Sequence, residues 1–120
     1  MLKAIYIAGP MRGIPEFNFP AFHRAAEVWD KAGWVVFNPA ARDNEVHGTD
    51  ISAGNTTDSI EQAAEEHGFN LRDALGADCA WICSTATAIY MLDGWSKSAG
   101  ATAERALALA LGLDVYGAPA

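Results

Sequence analysis

Three side chains in this sequence have the type and placement for acid–base or nucleophilic work: Glu104, Asp78 and Tyr6. Glu104 closes the stretch Ser98-Ala-Gly100-Ala-Thr-Ala-Glu104, where a helix is predicted to begin at Ser98. A helix start offers unpaired N–H groups and the positive end of the helix dipole, which together suit an anion. Glu104 is predicted about one turn in, where the same dipole favours the ionised carboxylate that a nucleophile needs. A glutamate so placed could equally do no more than complement the dipole. Asp78 lies earlier, on an apolar helical stripe beside Trp81 and Ile82. Such surroundings raise a carboxyl's pKa and fit it to be a general acid; an aspartate on a solvated helix surface is the plainer reading. Tyr6, in the first predicted strand, emerges near the same edge unless it is an ordinary core tyrosine. The loop Gly9-Pro-Met11-Arg12-Gly13 follows that strand. Its glycines permit close backbone approach to a ligand, and Arg12 supplies a planar cation. It lacks G-K-[ST] and GxGxxG, so it is neither a triphosphate loop nor a dinucleotide fingerprint. Asp93 opens a further loop, residues 93–97, just ahead of Ser98.

The elements that must position these groups alternate between strand and helix. Residues 3–8 are β-prone and stop at Gly9-Pro10. From about Asn18 to Lys31 the apolar positions Phe22, Ala25, Ala26 and Trp29 recur at helical spacing, and Gly33 ends the helix. Trp34-Val-Val-Phe37 reads as a buried-type strand. Residues 40–57 hold polar, Gly and Asn punctuation and read as a long loop, a kind that is often functional. Asp58-Ser-Ile-Glu61 resembles a capping box opening a short helix to about His67. A helix is predicted from about Asn70 to Cys83 with Leu71, Leu75, Asp78 and Ile82 near one stripe, then a strand over residues 88–92. An alanine-rich helix over residues 98–111 and a last strand over residues 113–116 complete the pattern. Strands alternating with helices imply one α/β domain, residues 1–120, with a parallel sheet covered on both faces. Four to five strands favour a flavodoxin-like doubly wound order, whose ligands sit at the carboxyl ends of the strands. That rule selects the loops at residues 9–17, 38–57 and 93–99.

Composition narrows the function classes. The net charge is −7, with 8 basic against 15 acidic residues, which argues against polymeric nucleic acid and anionic membranes as partners. It leaves room for a small anionic ligand held by local groups. No apolar run approaches the ~20 residues of a membrane span, and the first residues read as a strand rather than a signal peptide, so a cytoplasmic location is expected. Cys79 and Cys83 have neither redox nor zinc spacing and are expected to be buried thiols. His23, His47 and His67 share no metal-ligand spacing and are expected to be solvated or locally bonded. Neither a metal nor a cofactor is expected.

Taken together, Ile5-Tyr6-Ile-Ala-Gly9-Pro-Met-Arg12-Gly13, Asp78-Cys-Ala-Trp81, and Asp93-Gly-Trp-Ser-Lys-Ser98-Ala-Gly100-Ala-Thr-Ala-Glu104 resemble the nucleoside 2-deoxyribosyltransferase-like superfamily. That superfamily includes deoxynucleoside 5′-monophosphate N-glycosidases, and the likeness is nearest to a small branch common in phages and prophages. It covers nearly the whole chain apart from roughly residues 40–68. The resemblance implies that Glu104 is the nucleophile that attacks the anomeric carbon, Asp78 the acid that helps protonate the departing base, and Tyr6 a neighbour of sugar and nucleophile. Gly9, Arg12, Gly13 and Ser98 match positions that hold a monophosphate; Met11, Asp93 and Gly100 lie in the same stretches and join them as candidate substrate-binding residues. Pro10 stands where the nucleotide-cleaving members carry a serine. Members acting on free nucleosides have an aspartate at the position of Ser98; a serine can donate to a 5′-phosphate that an aspartate would repel. Members also borrow a residue from a neighbouring subunit, so a homodimer or higher homo-oligomer is implied.

The expected activity is therefore cleavage of the N-glycosidic bond of a (deoxy)nucleoside 5′-monophosphate, by hydrolysis or base transfer, through a glycosyl-Glu104 intermediate. The alternative is a nucleotide-binding or sensing module that keeps the pocket without turnover. Pure binding, however, would not need an acid paired with a nucleophile.

Overall fold

The described residues of the computed structural model, 2–11, 14–41 and 71–120, form β1 (Ala4–Ala8), α1 (Phe19–Lys31), β2 (Val35–Phe37), α2 (Leu71–Ser84), β3 (Ala88–Met91), α3 (Ala99–Ala110) and β4 (Asp114–Gly117). All five residues of β1 are buried, as a strand must be when helices cover both sides of a parallel sheet. The order is β2-β1-β3-β4 with every pair parallel, an α/β arrangement consistent with the doubly wound flavodoxin-like sheet. Of the loop expected over residues 40–57 only Ala40 and Ala41 are described; the rest of it, the capping box at 58–61 and the short helix to His67 lie outside the described residues.

Alternation along β1 sorts the core into two layers. Tyr6 and Ala8 pack with Ile82, Ile89, Met91, Ala101 and Ala108, beneath α2 and α3. Ile7 turns to the other face and meets Phe19 and Phe22 of α1, together with Phe17 and Leu92. The register Tyr6↔Ile89 and Ala8↔Met91 carries the same alternation into β3. Because side chains in a strand alternate with period two, the position of Tyr6 in β1 commits its ring to the α2–α3 side.

Two expectations about elements change. β2 is an edge strand rather than a buried one: it pairs only with β1 among the described strands, and Val35 is exposed. Its apolar run reads as buried because an edge strand backed by a helix on one side keeps the same residue types. Cys83 is exposed and Cys79 half-buried. The buried stripe of α2 runs through Ala74, Asp78 and Ile82, so both cysteines lie one helical step (about 100°) off it. His23 is exposed, its Nδ1 lying 3.0 Å from Asn38 Nδ2.

The segment before α1 departs from ordinary loop geometry. Glu16, Phe17 and Asn18 all have positive φ, at 57°, 52° and 61°, a conformation costing about 1–2 kcal/mol per L-residue. The return is burial of Phe17 against Phe19, ring centroids 6.1 Å apart, and a hydrogen bond from Asn18 Nδ2 to the Pro10 carbonyl at 3.1 Å. That bond ties the start of α1 to the loop after β1.

Candidate active site

β1, α2 and α3 each deliver one polar side chain to the same buried place. Tyr6 is 1% exposed, Asp78 7% and Glu104 6%, and all three occur on faces that are otherwise apolar. Glu104 is on the buried stripe of α3 with Ala101 and Ala108, where alanines at i−3 and i+4 leave room for its side chain to reach the sheet. The Tyr6 hydroxyl donates to Glu104 Oε2 at 2.6 Å, toward the short end of the range for O–H···O bonds. The charge of Asp78 bears on both of these groups, raising the Tyr6 phenol and the Glu104 carboxyl.

Electrostatics here are governed by burial. Loss of water raises the Glu104 carboxyl to about 8; the Tyr6 hydrogen bond pulls against that rise, and the charge of Asp78 adds to it. Burial therefore opposes the ionised form of Glu104, against the expectation of a dipole-stabilised carboxylate. The correction is one of magnitude: Glu104 is six residues past the Ser98 cap, whereas a helix dipole acts within the first turn and contributes about 0.3–1 kcal/mol. Desolvating a carboxylate costs several kcal/mol. Burial likewise pushes the Tyr6 phenol well above its usual range, with Glu104 and Asp78 adding to it, and it raises the Cys79 thiol.

An aromatic wall adjoins the three polar groups. Phe37 stacks on Tyr6 with centroids 5.5 Å apart, and Trp81 lies 5.0 Å from Phe37 and 6.5 Å from Tyr6. Trp81 is one turn from Asp78 on α2. Sequence reasoning missed Phe37, which reads only as the last residue of a strand; its register opposite Tyr6 is the property that marks it.

The candidate substrate-binding residues fall into different places. Ser98 is the N-cap of α3, its Oγ accepting from Ala101 N at 3.1 Å. Capping uses the oxygen as an acceptor and leaves the hydroxyl hydrogen able to donate. Gly100 is in the first turn beside it. Gly9 has a packing reason to be glycine: a Cβ there would lie 2.7 Å from Leu92 Cβ. Met11 packs against the cluster of Ile7, Phe22 and Leu92. Asp93 is exposed and rims a groove on the α1 side with Asn18, Arg24, Trp29 and Tyr90; it does not join Tyr6 and Glu104. Arg12 and Gly13 lie outside the described residues. Among the described residues, no group of three His, Cys, Asp or Glu side chains could hold a metal ion. No described helix is long and apolar enough to cross a membrane.

The fold and the buried cluster define an α/β protein with a polar centre set into one side of its sheet. The family described as Domain of unknown function (DUF4406) matches residues 3–116, and the chain belongs to it. No curated protein and no solved structure matches the chain.

Proposed function

We propose that this protein is a nucleoside 2-deoxyribosyltransferase-like enzyme that cleaves the N-glycosidic bond of a (deoxy)nucleoside 5′-monophosphate. The observation that carries the reading is the meeting of Tyr6, Asp78 and Glu104, from three separate elements, in one buried cluster with Tyr6 hydrogen-bonded to Glu104. A structural core gains nothing from two buried carboxyls close to one phenol, since each desolvated acid is a cost. A glycosidic bond broken through an oxocarbenium-like carbon needs two carboxyls in different protonation states.

In this mechanism Glu104 attacks the anomeric carbon as the bond to the base nitrogen breaks, and the electron pair leaves with the base. Asp78 supplies the proton that makes the base a competent leaving group. Tyr6 holds Glu104 in place by its hydrogen bond and stabilises the carboxylate form during attack. The covalent glycosyl-Glu104 is then opened by water or by a second base. Ser98, at the N-terminus of α3, offers a hydroxyl and a helix dipole to a 5′-phosphate. Phe37 and Trp81 give the base an apolar, stackable wall.

The test is to incubate the protein with deoxy- and ribonucleoside 5′-monophosphates and the matching nucleosides, and to follow free base by chromatography. Base release from a monophosphate, lost in Glu104→Gln, is the expected result. An absence of release from every substrate would favour a binding module. Added free base separates transfer from hydrolysis.

A further inference from the structure

Asn18 occupies the N-cap of α1, a position where asparagine is favoured because its side chain accepts from a free N–H of the first turn. Here that side chain makes no capping bond. The second helical residue is Pro20, which has no N–H to offer. Asn18 Nδ2 donates instead to the Pro10 carbonyl at 3.1 Å, eight residues back in the chain. The backbone is given over to the same contact: Asn18 is left-handed at φ 61°, the last of three such residues, none of them glycine. Backbone held in a sparsely populated conformation by its surroundings is concentrated at active sites and ligand clamps.

Pro10 carries the contact onward. It is buried, and its rigid ring lies against the loop after β3: a Cβ built on Gly94 would sit 3.5 Å from Pro10 Cγ, at ordinary van der Waals distance. Gly94 is itself left-handed at φ 83° and caps the short 3₁₀ turn Trp95–Lys97. Lys97 N donates to the Gly94 carbonyl at 3.1 Å and Ser98 N to the Trp95 carbonyl at 2.9 Å, so this turn leads directly into the cap of α3. Asn18 and Asp93, the residue before Gly94, also line one groove, which sets the start of α1 beside this loop independently of the Pro10 contact. Segments from the ends of β1 and β3 and from the start of α1 thus meet at one proline ring.

We infer that Asn18 is a positioning residue for the 5′-phosphate end of the substrate: acting through Pro10 and the Gly94 turn, it holds Ser98 where the phosphate is received. Ser98 takes that role from the glycosidase reading above, on which this inference rests. Asn18 stands at the start of α1, on the opposite side of the sheet from Tyr6 and Glu104, so it acts only through its neighbours. Loosening the joint therefore weakens the hold on the phosphate and leaves the bond-breaking step alone. Loss of an interaction that is equal in ground state and transition state raises KM without lowering kcat.

Two variants remove the amide donor in different ways. Asn18→Gly also relieves the left-handed strain, since glycine adopts positive φ freely, and its urea midpoint should stay near wild type. Asn18→Asp keeps the size of the side chain but turns an acceptor-only carboxylate toward the Pro10 carbonyl.

Native-state hydrogen exchange, which needs no substrate, reads the joint. Exchange at the Lys97 and Ser98 amides should quicken by about three- to tenfold in both variants, the scale of one lost hydrogen bond. Exchange at Ile7 and Ile89, fully buried in the sheet, should stay at the wild-type rate. Unchanged rates at Lys97 and Ser98 in both variants would overturn the joint.

Steady-state kinetics with a deoxynucleoside 5′-monophosphate and its matching nucleoside read the positioning role. KM for the monophosphate should rise by about three- to tenfold, with kcat and the nucleoside's KM unchanged. An equal rise for both substrates, or a fall in kcat alone, would overturn that role. Base release from no substrate by the unmodified protein would sink the glycosidase reading and the phosphate role with it, while faster exchange in the variants would still show Asn18 holding Ser98 in place.

Discussion

Tyr6 and Glu104, 98 positions apart in the chain, meet at 2.6 Å with both side chains buried. The sheet register determines half of this contact, by turning the Tyr6 ring toward α3, and the alanine-rich stripe of α3 determines the other half. The contact links the core of the fold to the chemistry, so substitutions here register in both stability and turnover.

Stability should fall as pH rises toward 8. In the folded chain Glu104 keeps its proton up to about pH 8, whereas an unfolded chain releases it near the ordinary value of 4.5. Between those values the folded state binds the extra proton, so unfolding free energy drops by about 1.4 kcal/mol per pH unit for that one group. Above pH 8 the loss levels off. Urea unfolding at pH 6 and pH 8 checks the direction, and Glu104→Gln should show a flatter dependence. A wild-type protein more stable at pH 8 than at pH 6 would contradict the assignment.

Tyr6→Phe removes the hydrogen bond that opposes the rise of the Glu104 carboxyl. The variant should unfold about 1–3 kcal/mol more easily, because a buried acceptor loses its donor. Its base release should fall by about 10²-fold or more, the lower range for a positioned acid–base group. Denaturation and steady-state kinetics on the same preparation check both; wild-type turnover in Tyr6→Phe would remove the phenol from the mechanism.

Much of this was legible in the sequence, and its failures have physical causes. The continuous β-prone run of β1 and the helical spacing of Phe22 and Trp29 identify their elements because burial on both faces and burial on one face select different residue patterns. Asp78 is conspicuous for a related reason, as a polar group on an apolar stripe, whereas Glu104 stands out by its place near a helix start and Tyr6 by its place in the first strand. The ionisation of Glu104 was not legible, since it depends on desolvation by three packed elements, which no local pattern encodes. Phe37 escaped notice because a strand's last residue gains its role only from the register with β1. The left-handed run from Glu16 to Asn18 lies outside what composition indicates, since none of its residues is glycine.

Glycine substitutions should separate packing from ligand approach. Gly9→Ala sets a Cβ 2.7 Å from Leu92 Cβ, with side-chain atoms of Leu92 as its three nearest neighbours, and should cost about 1–3 kcal/mol. Gly117→Ala meets the Met91 backbone at 2.3 Å, at a φ of +103°, where neither neighbour nor chain can yield easily. The thermal midpoint of Gly117→Ala should therefore drop further than that of Gly9→Ala. Equal midpoints would mean that the loop after β1 is held as rigidly as the end of β4.

Ser98 divides its roles between cap and phosphate donor. Ser98→Ala should lose about 1 kcal/mol of stability with the cap and raise KM for a monophosphate more than for the matching nucleoside. Ser98→Asp keeps a capping side chain, so its stability should remain near wild type, while its charge repels the phosphate and shifts preference toward the nucleoside. Competition assays with both substrates in one reaction check this; an unchanged preference in Ser98→Asp would place the phosphate elsewhere.

The most direct measurement is mass spectrometry of the protein quenched in acid during turnover of a deoxynucleoside 5′-monophosphate, followed by peptide mapping. The expected result is a deoxyribose-phosphate adduct on the peptide containing Glu104, absent in Glu104→Gln. Base release that persists in Glu104→Gln, with no adduct on any peptide, would contradict a covalent glycosyl-Glu104 intermediate.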